Sequence, residues 1–64
     1  MDDDTTSIPV AIARSTDLAY LLRNQETEQE DWFPKSEIVW DSLNEMESVG
    51  VANIPDWLLD KRGW

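Results

Sequence analysis

Apolar residues alternate with small or polar residues near the start of the chain. Positions 8, 10 and 12 hold Ile, Val and Ile, and Pro and Ala stand between them. A period of two is typical of a β-strand, so the pattern predicts a short strand over residues 8–13. Because Pro9 has no backbone N–H, we expect this strand at a sheet edge or beginning at Pro9.

A second apolar segment follows and fits two structures. Leu18, Tyr20 and Leu22 would share one face of a strand, whereas a helix would bring Leu21 beside Leu18 and Leu22. We favour the strand, because the next strong segment is also β-like and a hairpin would pair the two. The connection over residues 24–31 contains no apolar side chain, which is typical of a solvated loop.

Residues 32–40 form the densest aromatic and β-branched stretch, with acidic runs on both sides. Trp32, Ile38 and Trp40 have the same strand parity, so we expect this stretch to be the central strand of a small sheet. Pro34 removes one donor and holds the preceding residue extended, which indicates a bulge or an edge position there.

The region after this strand allows an alternative. Apolar residues recur at near-helical spacing over 36–49, and Ser36 and Gly50 could cap such a helix. The sequence Ile-Val-Trp is a poor helix start on propensity grounds. We therefore place a strand through about Trp40, and a loop or short helical turn over 41–48.

The C-terminal segment predicts a short strand or an extended lead over 50–54 and then a helix over about 55–62. Pro stands at position 55, Asp at 56, Lys and Arg at 61 and 62, and Gly at 63. These types suit the first turn, the two ends of the helix dipole and the residue that ends a helix. The expected buried face of this helix consists of Ile54, Trp57 and Leu58.

Together these elements predict an α+β fold, in which a small antiparallel β-sheet of about three strands is closed by a short C-terminal helix. We expect residues 1–7 to be an acidic N-terminal tail and residues 8–64 to form a single small domain. Large aromatic side chains are expected to dominate the core, namely Trp32, Trp40, Trp57 and Tyr20.

Charge changes the functional picture. Five Lys and Arg face fourteen Asp and Glu, which gives a net charge of −9; a magnitude of roughly 2–8 suffices for the solubility of a small domain. Such a field repels nucleic acid and anionic membranes and attracts basic surfaces. We expect no direct nucleic-acid binding, no membrane association, and a partner with a basic surface, such as a host nucleic-acid-binding protein or complex.

Residue types that perform catalysis are scarce. The chain has no His and no Cys, so no general base near neutral pH and no thiolate is present, and its Ser residues lack a His partner. We expect no enzyme activity, no cofactor and no metal site. The lack of Cys also fits a reducing compartment, so we expect a cytoplasmic protein, with a monomer favoured.

Two acidic groups are the candidate partner-binding residues. Glu26, Glu28 and Glu30 would share one face if extended, at intervals of about 6.6–6.8 Å. This interval is close to two steps of the roughly 3.4 Å per phosphate along one DNA strand. The full candidate set, from both groups, is Glu26, Glu28, Glu30, Asp31, Asp41, Glu45 and Glu47.

Two motifs carry a family resemblance over about residues 16–64. Residues 32–38 fit the pattern W-x-P-K-S-x-I, and residues 55–63 fit P-x-W-L-x-x-K-x-G. In this order they resemble small phage- and prophage-encoded proteins. The resemblance implies a compact sheet closed by the terminal helix, in a phage or mobile-element context in a bacterial host, and it brings no catalytic residues.

Two functions are open. In size and acidity the chain is similar in character to anti-CRISPR and anti-restriction proteins that occupy DNA-binding channels. This predicts an inhibitor that mimics nucleic acid and blocks the DNA-binding surface of a host defence complex. The alternative is a phage accessory or inhibitory module that binds a protein through an aromatic surface without DNA mimicry. Trp64 either folds back on the helix or lies exposed, and if exposed it is a candidate contact.

Overall fold

The computed structural model describes residues 4–64, which form five strands and two helices. The strands are β1 (Thr5–Ser15), β2 (Ala19–Asn24), β3 (Glu30–Pro34), β4 (Val39–Asn44) and β5 (Val49–Pro55). A 3-10 helix (Lys35–Glu37) joins β3 to β4, and the α-helix α1 (Asp56–Arg62) follows β5. All neighbouring strands are antiparallel, and their order in the sheet is β3-β2-β1-β5-β4.

The prediction of about three strands is wrong, although the antiparallel sheet and the C-terminal helix are present. Residues 32–40 are not one central strand, because the 3-10 helix after Pro34 divides them between β3 and β4, the two edges of the sheet. The chain remains extended over 41–44, where a loop or helical turn was predicted. The β-branched and aromatic residues before position 41 favour a strand, and the alternative helix over 36–49 does not form.

The first strand is longer and more central than its sequence indicates. Residues 5–7, which were assigned to an acidic tail, extend β1 and pair with β5, whereas residues 1–3 of that tail lie outside the described residues. The prediction of an edge position for Pro9 is also wrong. The Pro9 carbonyl accepts a hydrogen bond from Gln25 N, 2.9 Å away, on the side where β2 has already ended. The missing N–H faces that same side, so no ladder bond is lost.

The sheet is strongly curled. In a flat sheet, β3 and β4 would lie about 19 Å apart, at four spacings of 4.7–4.9 Å, yet residues 35–38 alone connect them, mostly in a 3-10 helix. Such a helix advances only about 2 Å per residue, so the edges must approach each other. The rings of Tyr20 in β2 and Trp40 in β4 confirm this, because their centroids are 5.7 Å apart. The architecture is therefore a partly open barrel.

The barrel interior is mainly aliphatic. The fully buried side chains of largest volume are Phe33, Leu22, Ile54, Leu58 and Val10. The expected aromatic core is wrong in two positions, since Trp32 is 40% and Trp57 is 55% exposed, while Tyr20 and Trp40 pack against the core from its border. A coiled sheet of short strands leaves an interior that branched aliphatic side chains fill.

Two bulges help the strands to curve. One extra residue lies in β1 between Ile12 and Arg14, and another, Asp41, lies in β4 between Trp40 and Ser42. Bulges increase local twist and bend the strand that carries them. Beside the second bulge the β4 backbone comes so close to Gly50 that a Cβ atom there would overlap the Ser42 carbonyl oxygen. Only glycine fits this position of β5.

Helix α1 closes one end of the barrel, and its predicted limits and cap are confirmed. Gly63 adopts the left-handed conformation with φ of 76°. The N–H of Trp64 donates to the Leu59 carbonyl (2.9 Å) and that of Gly63 to the Asp60 carbonyl (3.2 Å), which is a Schellman motif. The expected buried face is wrong at Trp57, because Leu58 and Leu59 are the helix residues that enter the core.

Candidate partner-binding site

The β2–β3 turn presents the first acidic group. Asn24 lies at its start and is only 5% exposed. Its side-chain oxygen Oδ1 accepts hydrogen bonds from the N–H groups of Glu26 (2.7 Å) and Thr27 (3.3 Å), and its carbonyl accepts from Glu28 N (2.7 Å). The Asn24 side chain thus accepts from backbone N–H groups that have no partner strand, as in Asx turns. The turn holds its glutamates in a fixed backbone geometry.

The β4–β5 turn repeats this arrangement. Asn44 Oδ1 accepts from the N–H groups of Met46 (3.1 Å) and Glu47 (3.2 Å). Each turn ends with a non-glycine residue in the left-handed region, Glu28 with φ of 66° and Ser48 with φ of 57°. The sequence signal for each turn is the asparagine at its start, Asn24 or Asn44.

The predicted row of evenly spaced carboxylates does not exist. Glu26 and Glu28 lie in the turn, and only Glu30 lies in an extended strand. The left-handed backbone at Glu28 breaks the alternation of side chains on which the 6.6–6.8 Å interval rested. The three glutamates are grouped by a turn and do not line one strand face.

The two acidic turns project in opposite directions along β1. Gln25, at the start of the first turn, bonds to Pro9, and that turn continues toward the N-terminal end of β1. The Ser48 carbonyl accepts from Ile12 N (2.7 Å), and the second turn extends toward the C-terminal end of β1. The structure therefore does not bring Glu45 and Glu47 together with the first group.

Few of the candidate carboxylates are neutralised. Glu28 pairs with Arg23 at 3.6 Å and Asp31 with Arg62 at 3.7 Å, both partly exposed. The other five candidates have no ion-pair partner within residues 4–64; they are Glu26, Glu30, Asp41, Glu45 and Glu47. All five are exposed. Exposed ion pairs are weak, so most of the negative charge faces solvent.

Helix α1 adds two acids to the first turn's end of the molecule. Gln29 Nε2 lies 3.5 Å from the Gly63 carbonyl, which places the β2–β3 turn beside the end of the helix. Asp56 and Asp60 are exposed on α1 and border an open pocket of about 360 Å³. The sequence signal for this pair is its spacing of four on a predicted helix, which places both carboxylates on one face. Asp56 enters the sequence-based prediction only through the helix dipole, and Asp60 is not among the candidate residues.

We name this region the acidic end. It combines the β2–β3 turn, the start of β3 and helix α1, and its carboxylates are Glu26, Glu28, Glu30, Asp31, Asp56 and Asp60.

Trp64 is not an exposed contact. Its ring packs edge-to-face on Phe33 with centroids 4.8 Å apart, and it is half-buried. The indole N–H groups of Trp64 and Trp40 are shielded from solvent and have no hydrogen-bond partner within residues 4–64. The exposed tryptophans are Trp57 and Trp32.

Comparisons with protein-family models, with curated proteins and with solved structures found no match. Neither helix within residues 4–64 has the length and apolar composition that crossing a membrane requires. Over the same residues, the acidic side chains form no group of three or more arranged to hold a metal ion.

Proposed function

We propose that this chain is an acidic inhibitor of phage type that mimics nucleic acid. It occupies the DNA-binding surface of a host defence complex, of the anti-CRISPR or anti-restriction kind, in the cytoplasm of a bacterial host. The observation that supports this most directly is the set of exposed carboxylates, without an ion-pair partner among residues 4–64, at two hydrogen-bonded turns. The phage context rests on the resemblance of residues 32–38 and 55–63.

Charge density sets the scale of the mimicry. The Cα atoms extend over 34 × 20 × 20 Å, and one turn of B-DNA is about 34–36 Å long. Duplex DNA carries about one negative charge per 1.7 Å of axis, or roughly 20 over this length. The chain carries a net charge of −9, so it presents about half the charge of the DNA that it replaces.

The partner follows from this charge. A groove of Lys and Arg that holds phosphates would accept carboxylates at the acidic end and at the β4–β5 turn. Long-range attraction accelerates the encounter, and salt screens it. Binding is therefore expected to be fast, to weaken as salt rises, and to exclude DNA from the same groove.

The test uses DNA competition by purified nucleases and CRISPR surveillance complexes, with labelled target DNA and increasing amounts of this protein. We expect the wild-type protein to displace the DNA and to do so less well at higher salt. A double variant, Glu26→Gln with Glu30→Gln, removes two charges that form no ion pair within residues 4–64 and should weaken displacement about tenfold or more. It should also reduce the slope of log affinity against log salt.

A second double variant, Glu45→Gln with Glu47→Gln, makes the same charge change at the opposite turn. Comparison of the two double variants shows which turn contacts the groove. Unchanged DNA occupancy at saturating inhibitor, with every such target that binds this protein, would refute nucleic-acid mimicry.

The alternative, a module that binds protein through an aromatic surface, has one observation in its favour. Trp57 and Trp32 are 55% and 40% exposed, and large exposed aromatics are common in interfaces. If this alternative holds, Trp57→Ala abolishes partner binding while the two glutamate double variants bind normally. The opposite result supports mimicry.

A further inference from the structure

The pocket beside helix α1 has a chemistry different from that of the acidic turns. Two carboxylates, those of Asp56 and Asp60, lie four residues apart and so share one face of the helix. Ile8 and Leu59, each 8% exposed, and Trp64 also line the pocket. The pocket thus places two carboxylates beside apolar and aromatic residues.

Local contacts fix this arrangement before any ligand binds. The Thr6 hydroxyl donates to Asp56 Oδ1 at 2.6 Å and orients that carboxylate. The Trp64 ring packs on Phe33, and the backbone N–H of Trp64 donates to the Leu59 carbonyl. A preorganised site avoids the cost of ordering its side chains on binding.

The negative charge of Asp56 and Asp60 is not neutralised by a basic side chain in the lining of the pocket. Asp60 has no side-chain hydrogen bond or ion pair with any residue between 4 and 64, and Asp56 has only the Thr6 hydroxyl. Its volume of about 360 Å³ is near the lower end of the roughly 300–1,000 Å³ typical of ligand pockets. This size suits a single side chain.

We propose that this pocket binds the guanidinium group of an arginine side chain presented by a partner protein. A guanidinium is planar, always charged and weakly hydrated, and its five donors match two adjacent carboxylates. Its flat face stacks on aromatic rings. A lysine ammonium group is compact and strongly hydrated, so it gains less from the apolar and aromatic walls.

The test needs no partner protein, so it is independent of the proposed function. The probe is Nα-acetyl-arginine amide, titrated against the ¹⁵N-labelled full chain while the Trp64 indole N–H resonance is followed by NMR. We expect a saturable shift of this signal and of the Asp56 and Asp60 amide signals. The citrulline analogue, which has the same shape without charge, should give no saturable shift, and the lysine analogue should bind several-fold more weakly.

Variants assign the contact to the pocket. Asp60→Asn is isosteric and removes no contact within the described chain, so it should fold normally and weaken arginine binding roughly tenfold. Glu47→Gln removes one charge at the opposite turn and should leave binding within about twofold, since exposed charges beyond a Debye length of about 10 Å are screened at 0.1 M salt. Asp56→Asn is a second pocket variant, whose folding is checked by its amide spectrum.

Three results would each overturn the proposal. They are equal shifts with the citrulline analogue, equal affinity for the lysine analogue, and an equal loss in Asp60→Asn and Glu47→Gln. The first would indicate general contact with the wall, the second a pocket for any cation, and the third an effect of net charge alone. If arginine binds here and DNA competition fails, the pocket stands and nucleic-acid mimicry does not.

Discussion

Asn24 and Asn44 perform the same task in different surroundings. Each accepts two backbone N–H groups at the start of a hairpin turn. Asn24 is 5% exposed, and Asn44 is exposed. The backbone N–H groups that bond to Asn24 are partly buried, whereas those that bond to Asn44 are exposed. If the asparagine is removed, the first pair can bond to water less easily than the second.

We expect Asn24→Ala to lower the free energy of unfolding by about 1–3 kcal/mol, because it removes a buried acceptor and leaves two partly buried donors without a partner. Asn44→Ala should cost only about 0.5–1 kcal/mol, as at exposed caps. Urea unfolding followed by tryptophan fluorescence measures both. Equal losses in the two variants would show that burial of Asn24 does not set the cost.

The sequence indicates loops at these asparagines but not which of them is buried. A polar segment without apolar side chains predicts the turn at 24–31. Burial of Asn24 depends on packing against elements distant in sequence, which no local pattern encodes. The same reason explains the error at Trp32 and Trp57. The residue type indicates how much area a side chain can bury, but it does not indicate whether that side chain points into the core.

At the scale of elements, helix α1 is attached by its C-terminal end. Arg62 Nε donates to the Trp32 carbonyl at 2.9 Å, and Trp64 packs on Phe33. These contacts cover the outer edge of β3 and give that edge a partner. Trp57, in the first turn of α1, is 55% exposed.

We expect Trp64→Ala to cost about 3 kcal/mol or more, because it removes a large packed ring. Trp57→Ala should change stability by no more than about 0.5 kcal/mol, as do most surface substitutions. Thermal and urea unfolding of the two variants test this pair. A larger loss in Trp57→Ala would contradict the packing described for α1.

Local chemistry predicts some elements well. Alternation over 18–22 and the caps at 55 and 63 locate β2 and α1, because these signals act within one turn or one strand. The division of 32–40 between two edge strands escapes such signals. Pro34 indicates the interruption, but only the approach of the two edges explains why a 3-10 helix, and not a bulge, fills it.

At the scale of the molecule, a net charge of −9 on 64 residues opposes folding through self-repulsion. Most of the candidate carboxylates are exposed, so this repulsion acts at the surface, where ions screen it.

We expect the free energy of unfolding to rise between 10 and 150 mM NaCl by several tenths of a kcal/mol, on the scale of a few exposed like-charge contacts. Urea unfolding at the two salt concentrations measures it, and the Glu26→Gln, Glu30→Gln variant should show a smaller rise. A decrease with salt would mean that the pairs of Arg23 and Arg62 outweigh the repulsion.

Closure of the sheet is the feature that sequence analysis reaches least. Local sequence pattern predicts a small antiparallel sheet and a helix, and the candidate partner-binding acids are selected by charge alone. The opposite directions of the two acidic turns, and the pocket beside α1, follow from strand order, which is a property of contacts between distant residues.

The central ladder between β1 and β5 also sets a limit on how the chain reaches its native state. Thr5 pairs with Pro55 and Ala11 with Val49, so this ladder joins positions some 40–50 residues apart, whereas the hairpins close locally. Closing a loop of that length costs entropy before the β1–β5 contacts can stabilise the chain. Proteins dominated by such long-range pairings fold in milliseconds to seconds. Stopped-flow refolding should fall in this range and not in microseconds, and during synthesis β1 must remain unpaired on its β5 side until β5 has left the ribosome.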